Sequence, residues 1–216
     1  MSSASTSLEP VMSLEPWPTN GHMIADVARL GYLGGRVLDL THGLGVFWRQ
    51  WQPDELITND WDTDREADHH IDLMNPGAIL AAFAPASFDA VVSDVPYKFS
   101  GTPTPSDQSS VDARFGVDRY RPARDVADLL RTSVLHAGLL TKPGGHVLVK
   151  CQDQVVSGSV HWQSYELVTW LNVHPEIGLD LVAEFIFPSY RRQPAGRRQL
   201  NARRNFSKLL VFRQSR

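Results

Sequence analysis

Short apolar runs recur along the chain, separated by amphipathic stretches and by clusters of glycine, proline, asparagine and aspartate. Residues 36–40 (RVLDL), 55–60 (ELITND), 69–73 (HHIDL) and 88–94 (FDAVVSD) read as strands, as do 146–150 (HVLVK), 178–187 and 207–212. Runs of this length bounded by turn formers fit strands better than helices. Apolar residues at helical spacing fall between them, in 23–35, 45–51, 76–84, 121–140 and 162–172. The first of these helices is predicted to end near Gly34 and Gly35, and 121–140 is the longest amphipathic stretch.

Strand and helix alternate through five units, which predicts an α/β fold with helices on both faces of a mostly parallel sheet. The expected architecture is Rossmann-like and seven-stranded, its last two strands forming a C-terminal antiparallel hairpin at one edge. Residues 1–16 are Ser-rich, contain Ser-Leu-Glu-Pro twice and lack periodicity, so they are expected to be a flexible extension, within which Met12 is an alternative start. Residues 17–216 are then a single domain, a suitable size for one full core. The stretch 101–118, rich in Pro, Ser, Gly and Asp, is expected to be a long surface loop, a feature uncommon in compact domains unless functional.

Composition narrows the class. No window approaches the roughly 18 apolar residues of a membrane span, and the first residues lack the basic-then-apolar order of a secretory signal. The single cysteine, Cys151, excludes an internal disulfide and fits a cytoplasmic location, with the thiol a small core or strand-end residue. The formal net charge of -3 conceals an asymmetry: 191–216 holds nine Lys and Arg and no acid, leaving 12 basic against 24 acidic side chains before it. A basic block of this kind is a solvated face or a polyanion contact.

The acids gather at predicted strand ends: Asp39, Asp60, Asp72 and Asp94. Gly43 and Gly45 follow Asp39 in the turn that opens a helix, where glycine lets a backbone approach a ligand. Asp60 comes 21 positions after Asp39, close to the spacing at which a doubly wound fold offers a carboxylate to a ribose. Trp61 beside it is a candidate for an adenine face, and Asp72 for an adenine amino group. Each acid alone is equally a helix cap. His42, His69 and His70 are not at zinc spacing with any cysteine pair, so no metal is expected.

These residues resemble the class I S-adenosylmethionine-dependent methyltransferases, and within them the amino-methyltransferases that modify exocyclic nitrogens of bases, over most of the chain from about Gly21. Asp39, Gly43 and Gly45 satisfy that family's Asp-x-x-x-Gly-x-Gly turn, with Thr41 where many relatives carry glycine. Asp94-Val95-Pro96-Tyr97 matches its Asp-Pro-Pro-Tyr signature except at Val95. The resemblance implies S-adenosylmethionine as cofactor, held by Asp39, Thr41, Gly43, Gly45, Asp60, Trp61 and Asp72. It implies a catalytic turn in which Asp94 and the carbonyl of residue 95 accept the hydrogens of an amino group, Pro96 keeps residue 95 extended, and Tyr97 stacks on an extruded base.

The implied activity is transfer of a methyl group to N6 of adenine in DNA, with an RNA base methyltransferase (for example at guanine N2) and a catalytically silent nucleic-acid-binding module as alternatives. Lys98, Arg191, Arg192, Arg197, Arg198, Arg203 and Arg204 are the candidate phosphate contacts. No target-recognition domain of the usual size is present, so recognition is expected from 101–118, the CQDQVVSGSVHWQ stretch and the arginine segment.

Overall fold

The computed structural model describes residues 10–96, 123–156, 158–189, 201–202 and 204–216. Strand β1 (Arg36–Asp39) lies between β2 (Glu55–Thr58) and β3 (Phe88–Ser93), parallel to both. β4 (Thr141–Cys151) extends the parallel set beyond β3, and β8 (Phe206–Gln214) pairs antiparallel with β4. β7 (Leu179–Pro188) closes the edge antiparallel to β8, giving a six-stranded order of β2-β1-β3-β4-β8-β7.

Both faces are covered, which is why these strands read as continuous apolar runs instead of alternating ones. On one face Val37, Ala90, Val92, Leu148, Leu209 and Val211 pack with Met23, Ile24 and Val27 of α1 (Asn20–Arg29) and with Phe47 and Trp48 of a 3-10 turn (Val46–Arg49). On the other, Leu38, Val91, Val147, Val149, Leu210 and Phe212 meet three helices. Ile79 comes from α2 (Pro76–Ala82), Leu130 and Val134 from α3 (Ala123–Leu140), and Leu167 and Leu171 from α4 (Gln163–Val173). Among the described residues, no helix is long and apolar enough to cross a membrane.

Four features depart from expectation. The third strand, expected at 69–73, shrinks to a single parallel bridge between Asn59 and His69. Side chains take over the ladder: Asp68 accepts from the Thr58 N–H at 2.8 Å, and the Asn59 amide bonds Leu40 O at 3.1 Å and Ile71 at both N and O. Among the described residues the sheet therefore has six strands, where seven were expected.

The CQDQVVSGSVHWQ stretch, for which no strand was expected, contains a separate hairpin, β5 (Gln154–Val156) with β6 (Ser159–His161). α1 starts and stops earlier than predicted, ending at Arg29, where the Leu30 N–H bonds Asp26 O. Within the predicted extension, Leu14 bridges to Ile186 and Ser13 O accepts the Ile186 N–H, so this segment lies on the free edge of β7; residues 1–9, 97–122 and 190–200, including the whole predicted loop 101–118 and most of the arginine segment, lie outside the described residues. Cys151 ends β4 fully buried, its thiol pushed up to about 12 by desolvation.

Asn59, fully buried, is the joint between β1, β2 and the segment that leads to α2. Asn59→Ala strands Leu40 O, Ile71 O and the Ile71 N–H without their partner, and each buried group left unpaired costs about 1–3 kcal/mol. Urea unfolding of this variant is expected to show a loss of about 3 kcal/mol or more; a loss below about 1 kcal/mol would mean that water or backbone replaces the amide.

Candidate active site

The chain visits β1, then the outer strand β2, then β3 on the other side of β1, so the strand order reverses between β1 and β3. Ligands in open α/β sheets collect at the carboxyl ends beside such a reversal. Asp39 is the last residue of β1 and Asp94 follows the last residue of β3.

The turn after β1 links three of the predicted acids. Asp39, 3% exposed, accepts from the Thr41 N–H at 3.0 Å and the Trp48 indole N–H at 2.6 Å, and pairs with His42 Nδ1 at 3.3 Å. The Gly43 N–H donates to Asp60 Oδ2 at 2.7 Å. Thr41 Oγ1 accepts the Asp94 N–H at 2.7 Å. Residues 41–43 are thus pinned to Asp39, Asp60 and the backbone of Asp94. Thr41, which departs from the family pattern, supplies the bond to β3 that glycine could not.

Gly43 and Gly45 have φ of +59° and +63°, a left-handed conformation costly for other residues. A Cβ on Gly45 would also stand 3.0 Å from His42 Nε2. The Asp39 hydrogen bond raises the His42 pKa from its ordinary value, against the opposing effect of burial.

The second arrangement centres on Asp94. Lys150, 4% exposed and near the end of β4, places Nζ 3.1 Å from Asp94 Oδ2 and 5.7 Å from the Phe47 ring centroid. Lys150 has the same parity as Leu148, so it projects to the α1 face. Burial raises the Asp94 pKa, the Lys150 charge and hydrogen bond lower it, and the nearby Asp39 raises it. The ion pair is the residue pair the sequence reading missed. Its signal was a lysine at the end of an otherwise apolar run, HVLVKC, in a strand buried on both faces.

The remaining candidates divide. Val95 is 1% exposed and belongs to the core beside Leu40 and Leu73, so valine at this position packs a side chain inward. Pro96 is partly buried. Asp60, 8% exposed, also accepts the Asp62 N–H at Oδ1, and Trp61 beside it is 49% exposed. Asp72 stands apart: it is exposed on the turn before α2, its Oδ1 accepting the Met74 N–H at 2.9 Å, because the strand expected to end on it is absent. Arg204 is described and lies over the Trp162 ring. Tyr97, Lys98, Arg191, Arg192, Arg197, Arg198 and Arg203 lie outside the described residues.

No protein-family model matches the sequence, and no curated protein sequence does either. Solved structures do match the fold. The N-methyltransferase NodS from Bradyrhizobium japonicum aligns with a TM-score of 0.51 at 13% identity over 91% of this chain and 94% of its own. TrmN from Thermus thermophilus aligns with a TM-score of 0.51 at 14% identity over 90% of this chain and 48% of its own. A candidate DNA modification methylase, also from Thermus thermophilus, aligns at 18% identity with a TM-score of 0.42, over 63% of this chain and 50% of its own. The chain therefore spans about half the length of the last two proteins. At these identities the likeness is one of architecture: the chain has the fold of S-adenosylmethionine-dependent methyltransferases.

Proposed function

We propose that the chain is an S-adenosylmethionine-dependent methyltransferase whose acceptor is an exocyclic amino group of a base in nucleic acid, with N6 of adenine in DNA the first candidate. The observation that carries this reading is the turn at 41–43, which holds Asp39, Asp60 and the backbone of Asp94 at one end of the sheet through bonds of 2.7–3.0 Å. The donor set suits the cofactor. A carboxylate has about four lone-pair positions, and Asp60 spends one on each of the Gly43 and Asp62 N–H groups. Acceptor capacity remains for a ribose diol, and the half-exposed Trp61 ring stands beside it for the adenine.

When bound, the cofactor supplies an already activated methyl group, so the protein's contribution is alignment. An exocyclic amino nitrogen shares its lone pair with the ring and is a poor nucleophile. Asp94, with Oδ2 anchored by Lys150, accepts one amino hydrogen at its other oxygen, and the carbonyl of residue 95 accepts the second. Both bonds draw the nitrogen toward tetrahedral geometry. Any residue with a backbone carbonyl meets that need at 95, so the buried valine is compatible with turnover. Tyr97, next but one in the chain, is the candidate stacking surface.

Three outcomes follow. Incubation with labelled S-adenosylmethionine is expected to place label in a DNA pool and, by mass analysis of the nucleosides, on N6 of adenine. Asp94→Ala should lower kcat by at least about a hundredfold with cofactor affinity retained, the size expected when a positioned acid-base group is lost. Label in RNA as an N2-methylguanosine would redirect the reading to the RNA enzymes. Cofactor binding with label in neither pool would leave a silent module.

Removing the ribose acceptor, in Asp60→Ala, is expected to weaken cofactor binding by about 2 kcal/mol, roughly thirtyfold, as measured by calorimetry. Unchanged affinity would place the ribose elsewhere.

The pH dependence has a definite sign. Asp94 must be ionised to accept the amino hydrogen, and burial holds its pKa above the ordinary carboxylate value. Activity should therefore fall as pH drops through that raised value. In Lys150→Met the charge that lowers it is gone, so the acidic limb of kcat moves to higher pH. A raised folded pKa on an acid also means that the folded state gains relative stability as pH falls through it. The variant's stability deficit should accordingly shrink toward acid pH, and a limb that stays in place would remove Lys150 from this role.

A further inference from the structure

At the end of β4 the chain leaves the sheet beside Lys150 and enters the β5–β6 hairpin. The segment ahead of β8 returns to the same place. Asn201 Nδ2 donates to Gly158 O at 2.8 Å in the hairpin turn, and Gln152 Nε2 donates to Arg204 O at 2.6 Å at its base. Two bonds thus fasten this segment to both ends of the hairpin.

Between these ties runs a ladder of rings and cations. The Arg204 guanidinium lies 4.0 Å above the Trp162 ring, Trp162 meets Tyr165 edge to face at 5.6 Å, and Lys208 Nζ sits 4.8 Å over Tyr165. Trp162 remains 38% exposed and Tyr165 59% exposed. Glu184 pairs with Lys208 at 3.5 Å, beside the ladder. Two large rings left in water beside two cations differ from a solvated charge run, where no apolar surface would be spent. Nor does the core require them, since α4 buries Leu167 and Leu171 on its opposite side.

We propose that this ladder is a docking surface for the DNA strand that flanks the target nucleotide, with Tyr165 and Trp162 receiving bases and Arg204 facing phosphate, while Lys208, its side chain 13% exposed and paired with Glu184, supports the Tyr165 ring. The proposal rests on the preceding reading of the acceptor and adds where the rest of the strand lies. Lys208 is paired with Cys151 in the β4–β8 ladder, one residue from the lysine that holds Asp94, so the patch lies at the same end of the sheet as the acid cluster, with Lys208 on the face of α3 and α4 and Lys150 on the α1 face. A strand with one base drawn out of its stack leaves neighbouring bases without a partner, and exposed rings replace that partner for any base sequence. Nine basic and no acidic residues in 191–216 give the surrounding sequence the charge that a polyanion needs.

Fluorescence anisotropy with a fluorescein-labelled single-stranded deoxyoligonucleotide, and with the same sequence as a duplex, tests this. Tyr165→Ala should weaken binding to at least one of the two about tenfold, and Tyr165→Phe, which keeps the ring, should restore it. Arg204→Gln should reduce the slope of log affinity against log salt by about one. Cofactor affinity, measured in parallel, should stay at the wild-type value in all three variants. Wild-type binding with Tyr165→Ala and Arg204→Gln indistinguishable from it overturns the docking surface and leaves the proposed activity standing. A wild-type protein that binds neither oligonucleotide overturns both.

Discussion

The turn that follows β1 is the constraint on which the site depends. Its N–H groups and one hydroxyl are used up in fixed bonds: Thr41 N–H to Asp39, Gly43 N–H to Asp60, and Thr41 Oγ1 to the Asp94 N–H. These bonds cross from β1 to the segments after β2 and β3, so the carboxyl ends of three strands are held in one register. The positive φ of Gly43 and Gly45 gives the turn its path, and Trp48 anchors it to the core by donating to Asp39 from among buried apolar side chains. Backbone conformation, buried hydrogen bonds and the hydrophobic layer beneath α1 therefore converge on the same few residues.

Such an arrangement concentrates negative charge, and after burial the Asp39 carboxylate adds to the rise in the Asp94 pKa. The structure offsets this in two ways. His42 leans on Asp39, and Lys150 is carried into the interior on β4 to meet Asp94. Burying an ion pair takes charge out of water, and the attraction between the partners repays the desolvation only with good geometry. Lys150 has a further neighbour in the Phe47 ring, whose face attracts a cation. Removing Asp94 would leave the Lys150 ammonium charged and buried, whereas the Asp94 side chain keeps 25% of its surface in water, so the pair is better understood as setting the state of Asp94 than as a source of stability.

The layered α/β fold was legible because the central strands are buried on both faces, which makes β1, β3, β4 and β8 apolar runs. The acids at 39, 60 and 94 were legible for the same reason, each ending such a run. Asp72 was misplaced because HHIDL has the composition of a strand, while the Asp68 carboxylate and the Asn59 amide occupy the backbone groups a third ladder would need. Local periodicity cannot reveal a side chain that competes for a ladder bond from ten residues away. The β5–β6 hairpin was missed because three-residue strands fall below the length at which alternation is visible. Lys150 escaped notice because strand position alone does not say which charge it will meet; its partner lies 56 residues earlier.

The two positions at which the chain differs from the motifs it resembles acquire a reason at atomic level. Thr41 replaces glycine, yet its hydroxyl ties β1 to the residue that begins the Asp-Val-Pro-Tyr turn. Val95 replaces proline, yet its side chain points into the core, so what changes is packing and chain stiffness, while the backbone oxygen proposed to take part in the chemistry is common to both residues. Likeness to solved structures at 13–14% identity speaks only to the arrangement of strands and helices, and an arrangement can serve many chemistries. Function is therefore to be sought in groups that the fold does not require. A lysine buried at the open end of a strand against an aspartate raised by desolvation is such a group, since an apolar pair of equal volume would fill that space at least as stably.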